Sequence, residues 1–526
     1  MRPLDGPPGG DEAPLRVVEI AGDAGVLRVA VGVGHCDDAL GQIVERGTQR
    51  AQFGPVGGGA HAAEPDGRRR RGQLGDADPG YHPEIGRGGR YDAPMLSRSD
   101  LRDARADVGT RVRGWTARGE HDETLVAKVA EILRDVRVRG DAAVVDATER
   151  YDGVRLTELR VPAAECADAL GSLSPELRAA LELAATRIEE YHAGRVGNGP
   201  APFDRDGVQV TELTRPVARA GLYVPGGRAS YPSTVLMTAI PARLAGVTAR
   251  VLCVPPGADG RVPAITLAAA ALVGVEEVYR VGGAQAIGAL AYGTESIAAV
   301  DVIVGPGNAY VDAAKRAVAA EGIVGIDGPA GPSELVVVAD GSVPAEHAAL
   351  DLAAQAEHGP GGTAYVVAWD VAVLDAVCDA LTAYVAESPR AEEIRSTLGS
   401  GGRAILVRDL EQAMAVANAV APEHLELLVA DGLADAAVDQ VRHAGAVFVR
   451  TPTALGDYIA GPNHVLPTGG AARFSSALRV DDFQTHVHVV RATADGLAAV
   501  GPAAAALATA EGLAAHAASV TERMSS

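Results

Sequence analysis

Aromatic side chains make up only 4% of the 526 residues, with five Phe and two Trp. A chain of this size with 47% hydrophobic residues must therefore build its core from small and aliphatic side chains, which suits an Ala-rich α/β protein. Cysteine is equally scarce. Cys36, Cys166, Cys253 and Cys378 lie far apart with no Cys-x-x-Cys spacing, the pattern of reduced thiols in a cytosolic protein. Positive charge is in deficit: the formal net charge of -21 argues against a general nucleic-acid binder, which needs basic surface to neutralise phosphate. No apolar run reaches the length of a membrane span, so no membrane partner is expected. The first residues lack a charged region followed by an apolar one, so no export signal is expected and the cytoplasm is the expected compartment.

What is present divides unevenly along the chain. Residues 1–94 are rich in Gly, Pro and Arg, with the basic run Arg68-Arg69-Arg70-Arg71. Such a composition buries little core and predicts a disordered extension, with Met95 as the expected true start and only local structure between Leu15 and Val33. From Asp122 the apolar residues recur at three and four, which predicts helices over 122–138, to about Arg150, and over 176–191. A strand is expected at Val208–Leu213. Strands then alternate with helices from Gly221 to Ala319, and again from Glu334 to Val449. That alternation implies parallel, doubly wound sheets, in which ligands bind outside the carboxyl ends of the strands. Residues 451–490 read mostly as loop, and 492–522 as an Ala-rich helical tail carrying Glu511 and His516.

Several stretches carry candidate chemistry, each with a plainer reading beside it. Gln355 and His358 are three apart at the end of a helix and share one face. They can start a metal site or simply decorate a solvated helix end. Gly282-Gly283-Ala284-Gln285 and Gly305-Pro306-Gly307-Asn308 follow strands and open helices, which suits a dinucleotide phosphate or a tight βα turn. Glu423-His424 sets a carboxylate beside an imidazole, either for proton transfer or as a surface pair. Asp457 reads as a metal ligand or a turn cap, and His464 as a residue hydrogen-bonded within its loop. Cys253 ends a strand and reads as a buried, inert thiol rather than a nucleophile.

Taken in order, these motifs closely resemble histidinol dehydrogenase. The resemblance rests on Tyr223-Val-Pro-Gly-Gly-Arg-Ala-Ser-Tyr-Pro-Ser, Val281-Gly-Gly-Ala-Gln-Ala-Ile, Gly305-Pro-Gly-Asn, Gly328-Pro-Ala-Gly-Pro-Ser-Glu, Gln355-Ala-Glu-His-Gly-Pro, Ala421-Pro-Glu-His-Leu and Gly461-Pro-Asn-His-Val-Leu-Pro-Thr. It covers the chain from about Met95 onward. It implies two Rossmann-like doubly wound domains, a helical N-terminal arm, and a C-terminal helical tail that packs on the partner subunit of a homodimer. The implied divisions are 1–94, the extension; 95–222, the arm and first part of domain 1; 223–333, an inserted NAD-binding domain 2; 334–478, the remainder of domain 1; and 479–526, the exchanged tail. The implied reaction is the oxidation of L-histidinol to L-histidine through a bound aldehyde. The resemblance assigns one Zn2+ per subunit to Gln355, His358, Asp457 and His516, and NAD contacts to Tyr223, Gln285 and Asn308. It assigns catalysis to Glu423 and His424, and substrate contacts to Ser333 and Glu511 together with His424 and the four zinc ligands. The alternatives weighed against it are a zinc hydrolase using Glu423, a dehydrogenase of another amino alcohol, and a non-catalytic binding protein.

Overall fold

The computed structural model describes residues 15–22, 25–32, 95–104, 108–113, 115, 123–197, 201–226, 229–328, 331–359 and 361–525. Two units separate, Met1–Gly89 and Arg90–Ser526. In the first, Leu15–Gly22 and Gly25–Gly32 pair as an antiparallel hairpin, the local structure expected there. The rest of the expected disordered extension lies outside the described residues.

The second unit holds three sheets. A five-stranded parallel sheet runs in the order Gly325–Ile326, Val302–Val304, Arg219–Tyr223, Ala249–Cys253, Glu277–Tyr279. A six-stranded parallel sheet runs in the order Ala446–Val449, His424–Leu428, Glu334–Ala339, Thr363–Ala368, Gly402–Leu406, Ser97–Asp100. Every residue of Glu334–Ala339 and Thr363–Ala368 is buried, which is why these strands read as continuous apolar runs: helices cover both faces of a parallel sheet. Aliphatic clusters line each sheet, and Ala-rich helices such as Ala264–Leu272 and Ala345–Ala356 pack closely because their side chains are small.

Three features differ from the sequence expectation. The boundary expected between residues 222 and 223 falls inside the strand Arg219–Tyr223 of the five-stranded sheet. The helices Glu123–Arg139 and Ala163–Gly171 pack on helices of that sheet, whereas Ser97–Asp100 forms an edge of the other. The arm therefore serves both layers. The stretch expected to be loop ends in a nine-residue strand, Gln484–Ala492, paired antiparallel with Val208–Pro216 and extended by Phe203–Arg205. A two-residue turn, Asp206-Gly207, joins Phe203–Arg205 to Val208–Pro216, but no local turn joins Val208–Pro216 to Gln484–Ala492, so only the tertiary fold reveals that pairing.

Candidate active site

Glu423 and His424 are delivered by a strained turn at the amino end of a central strand. The helix Leu410–Val420 stops at Ala421, a non-glycine residue at φ 54°, and His424 opens the strand His424–Leu428. Both side chains are buried, and they meet rather than point apart. His424 Nδ1 lies 3.7 Å from Glu423 Oε2, and His424 Nε2 lies 3.9 Å from Asp457 Oδ1. These separations are too long for hydrogen bonds, and Nδ1 has no partner. Glu423 Oε2 accepts the Glu334 N–H at 3.2 Å, and the Ser333 side chain lies beside this carboxylate and favours its charged form. Burial pushes Glu423 up to about 7 and holds His424 below its ordinary value. A carboxylate and an imidazole so tuned can each take a proton near neutrality.

The other expected ligands of the chain converge on the same end of the sheet. Gln355 is buried in the last turn of Ala345–Ala356, and its amide nitrogen has no partner. The His358 N–H donates to the Gln355 carbonyl at 3.3 Å, and burial, with His424 close by, holds the His358 ring below its ordinary value. Burial, above all, pushes Asp457, on the short helix Ala454–Tyr458, up to about 6. His464 bonds only partly within its own stretch: Nδ1 sits 2.8 Å from the Asp457 carbonyl, but Nε2 lies 3.2 Å from Thr234 Oγ1, on a helix of the five-stranded sheet, a contact that the loop sequence does not announce. Burial lowers it to about 4, so it stays neutral. A cavity of about 500 Å³ opens beside His424 and His464. Among the described residues no group of three His, Cys, Asp or Glu side chains is placed to hold a metal. A metal here would need the Gln355 amide oxygen beside His358 and Asp457. Imidazole, carboxylate and carbonyl donors form a set that suits zinc with a position left open. The unpartnered buried nitrogens, Gln355 Nε2 and His424 Nδ1, fit side chains turned towards a bound substrate.

The glycine-rich turns lie at the carboxyl ends of the five-stranded sheet. The Gly283 N–H donates to the buried Tyr223 hydroxyl at 3.1 Å, so Tyr223 braces this turn from below. Gln285 is buried in the first turn of the helix that follows. Asn308 caps the helix Ala309–Ala320, its side-chain oxygen accepting from the Tyr310 and Val311 N–H groups. Gly305 has φ 115°, and a Cβ there would collide with the Tyr223 carbonyl oxygen, so no other residue fits. The buried Lys315 ammonium donates to the Gly305 carbonyl at 3.0 Å and pairs with Asp327, whose other oxygen accepts the Gly305 N–H at 2.8 Å. Thr234, on the helix that follows the strand Arg219–Tyr223, touches His464, so the carboxyl ends of one sheet face the amino ends of the other.

Glu511 and His516 stand apart from this cluster. Both are exposed, Glu511 at the end of the tail helix Ala494–Ala510 and His516 on Ala514–Ser525. These helices pack on each other, and the first also touches Gln484–Ala492. Among the described residues no hydrogen bond or ion pair ties either side chain to Glu423, His424 or Asp457.

The family model for histidinol dehydrogenase matches residues 116–524. The chain belongs to the histidinol dehydrogenase family. It is 51% identical over 401 residues to the histidinol dehydrogenase of Rhodospirillum rubrum, 75% of this chain and 91% of that one. It is 48% identical over 409 residues to that of Dechloromonas aromatica, 77% of this chain and 93% of the other. The crystal structure of histidinol dehydrogenase from Elizabethkingia anophelis matches with a TM-score of 0.77 at 34% identity, covering 83% of this chain and 99% of that chain. As a member of the histidinol dehydrogenase family, the chain is an oxidoreductase.

Sequence reasoning passed over three buried acids near this histidinol dehydrogenase site: Glu334, Asp351 and Glu426. Burial and the neighbouring Glu423 push Glu334 up to about 8, and burial and Asp351 push Glu426 up to about 10. The signal available was a lone carboxylate inside an apolar strand, Ser-Glu334-Leu-Val-Val-Val and His-Leu-Glu426-Leu-Leu. Cys253 is the inert thiol expected, with burial pushing it up to about 12. Glu334 also has a consequence for stability. Its folded value lies above its ordinary 4.5, so its contribution is fully present below about pH 4.5 and is lost as pH rises through about 8. Thermal unfolding should show the wild type losing more stability than Glu334→Gln between pH 5 and 8. Parallel curves would show that Glu334 is not held neutral.

Proposed function

We propose that the chain catalyses the zinc-dependent, NAD-linked, four-electron oxidation of L-histidinol to L-histidine through a bound aldehyde, as a cytoplasmic homodimer. The observation that carries this reading is the buried Glu423–His424 pair, with Asp457 at 3.9 Å from the imidazole and Ser333 beside the carboxylate. The assignment of the substrate and both cofactors draws on membership of the family. Gln355, His358 and Asp457 would hold zinc, with His516 from a second copy as the fourth ligand. Zinc held there would supply positive charge to orient the substrate, and bound NAD would supply the hydride acceptor. Tyr223, Gln285 and Asn308 would shape the dinucleotide site.

His424, kept neutral by burial, takes the proton of the substrate hydroxyl as hydride leaves the carbinol carbon. Glu423 then takes a proton from a water that adds to the aldehyde while His424 returns its proton to the aldehyde oxygen; neutral again, His424 deprotonates the resulting hydrate as the second hydride leaves. Ser333 and the Glu334 N–H hold the Glu423 carboxylate in place for that step. Enclosure of the site keeps the reactive amino aldehyde from escaping.

The test is NADH formation from L-histidinol by purified protein. The expected result is two NADH per histidinol, abolished by a chelator and restored by zinc. Hydrolysis of an amide or ester without NADH would instead identify a zinc hydrolase, and faster turnover of another amino alcohol would reassign the substrate.

A further inference from the structure

Behind the proposed site lies a second carboxyl pair, Asp351 and Glu426, with no part in the reaction described. Asp351 sits on the buried face of Ala345–Ala356, one turn before Gln355, so both side chains leave the helix on the same side. Its Oδ1 accepts the Thr453 hydroxyl at 2.8 Å and the Thr453 N–H at 3.1 Å. Thr453 is the N-cap of Ala454–Tyr458, the helix that carries Asp457. Glu426 is two residues beyond His424 on one strand, and therefore on the same face of the sheet. The carboxyl of Glu426 lies against that of Asp351, close enough that the one raises the other's hold on its proton. Glu426 is only 1% exposed, yet no N–H or O–H reaches its Oε2.

Two carboxyl groups in such contact hold a proton between them, and an ionised Glu426 would leave a buried oxygen without a donor. Glu426 is therefore the proton-bearing partner. Asp351 then accepts from three donors: the Thr453 N–H, the Thr453 hydroxyl and the Glu426 O–H. The network touches the helix of Gln355, the helix of Asp457 and the strand of His424 at one point. A hydrophobic filler of equal volume would occupy the space but fix no such orientation.

We propose that Asp351 and Glu426 are positioning residues that, through one shared proton and Thr453, lock the elements bearing Gln355, Asp457 and His424 into a single geometry. The proposal rests on the functional reading above, which makes those three groups the metal and substrate ligands. Glu426→Gln and Glu426→Met test it. The Gln amide donates to Asp351 in place of the carboxyl O–H; Met fills the volume without donating. The measurements are the zinc dissociation constant, by competition with a chromophoric chelator, and kcat and KM for NAD.

Glu426→Gln is expected to stay close to wild type in all three. Glu426→Met should weaken zinc binding and lower kcat, each by about 10–100-fold, with KM for NAD unchanged. Thr453→Val, which removes one donor to Asp351, should move zinc affinity in the same direction and replaces Glu426→Met if that variant does not fold. Equal losses in the Gln and Met variants would overturn the proposal. So would zinc affinity and kcat left unmoved by both Glu426→Met and Thr453→Val. A wild type that binds zinc but does not oxidise histidinol would remove the functional reading alone, leaving the comparison of zinc affinities to decide this one.

Discussion

Glu423→Gln is expected to slow the second oxidation by about 10²–10⁴-fold while the first hydride transfer proceeds at nearly the wild-type rate. In a single-turnover experiment with excess NAD, NADH should rise rapidly to about one equivalent per site and then creep towards two. The reason is the division of labour at the pair. The alcohol proton goes to His424, whose burial keeps it neutral and able to accept. Only the aldehyde needs an activated water, and the carboxylate positioned for that is Glu423, pushed up to about 7 by burial. Gln preserves the shape and can still accept from the Glu334 N–H, but it cannot take a proton. The same assignment sets a pH dependence in the wild type. Glu423 must be ionised to act as base, so the second step should weaken relative to the first as pH falls through about 7. Equal slowing of both steps in Glu423→Gln would contradict the assigned role.

Much of this architecture was legible in the sequence because parallel strands buried on both faces carry a strong local signal. Leu335-Val-Val-Val and Ala364-Tyr-Val-Val are such runs, and glycine-rich turns punctuate them. The positions of the glycine-rich turns at carboxyl strand ends followed from the same logic. The placement of Glu423, His424 and Ser333 did not. They lie at the amino ends of the six-stranded sheet, opposite to the general rule, because the two sheets face each other end to end at Thr234 and His464. Nor did the pairing of Gln484–Ala492 with Val208–Pro216, which no local pattern announces. Of the buried acids, Glu334 and Glu426 left a signal as lone carboxylates in apolar strands, whereas Asp351 lies on a helix where residue type suggests exposure and only packing shows that it is held inside.

The proposed site calls on the tail of a second copy. His516 is exposed, and Leu507 and Leu513 on the same tail remain 66% and 42% exposed. In the proposed site a second copy would take up His516, and the exposed Leu507 and Leu513 would be covered with it. His516→Ala should therefore abolish zinc-dependent turnover although it lies apart from the catalytic pair in its own chain. His424→Ala should abolish it as well. The decisive measurement is activity after co-expression of these two inactive variants. In a mixed dimer, the His516→Ala chain keeps an intact body and receives the normal tail of its His424→Ala partner, restoring one site. Random pairing predicts recovery to about a quarter of wild-type histidinol oxidation. No recovery from dimers shown to be mixed would mean that His516 acts within its own chain or not at all, and the shared metal site proposed here would be wrong.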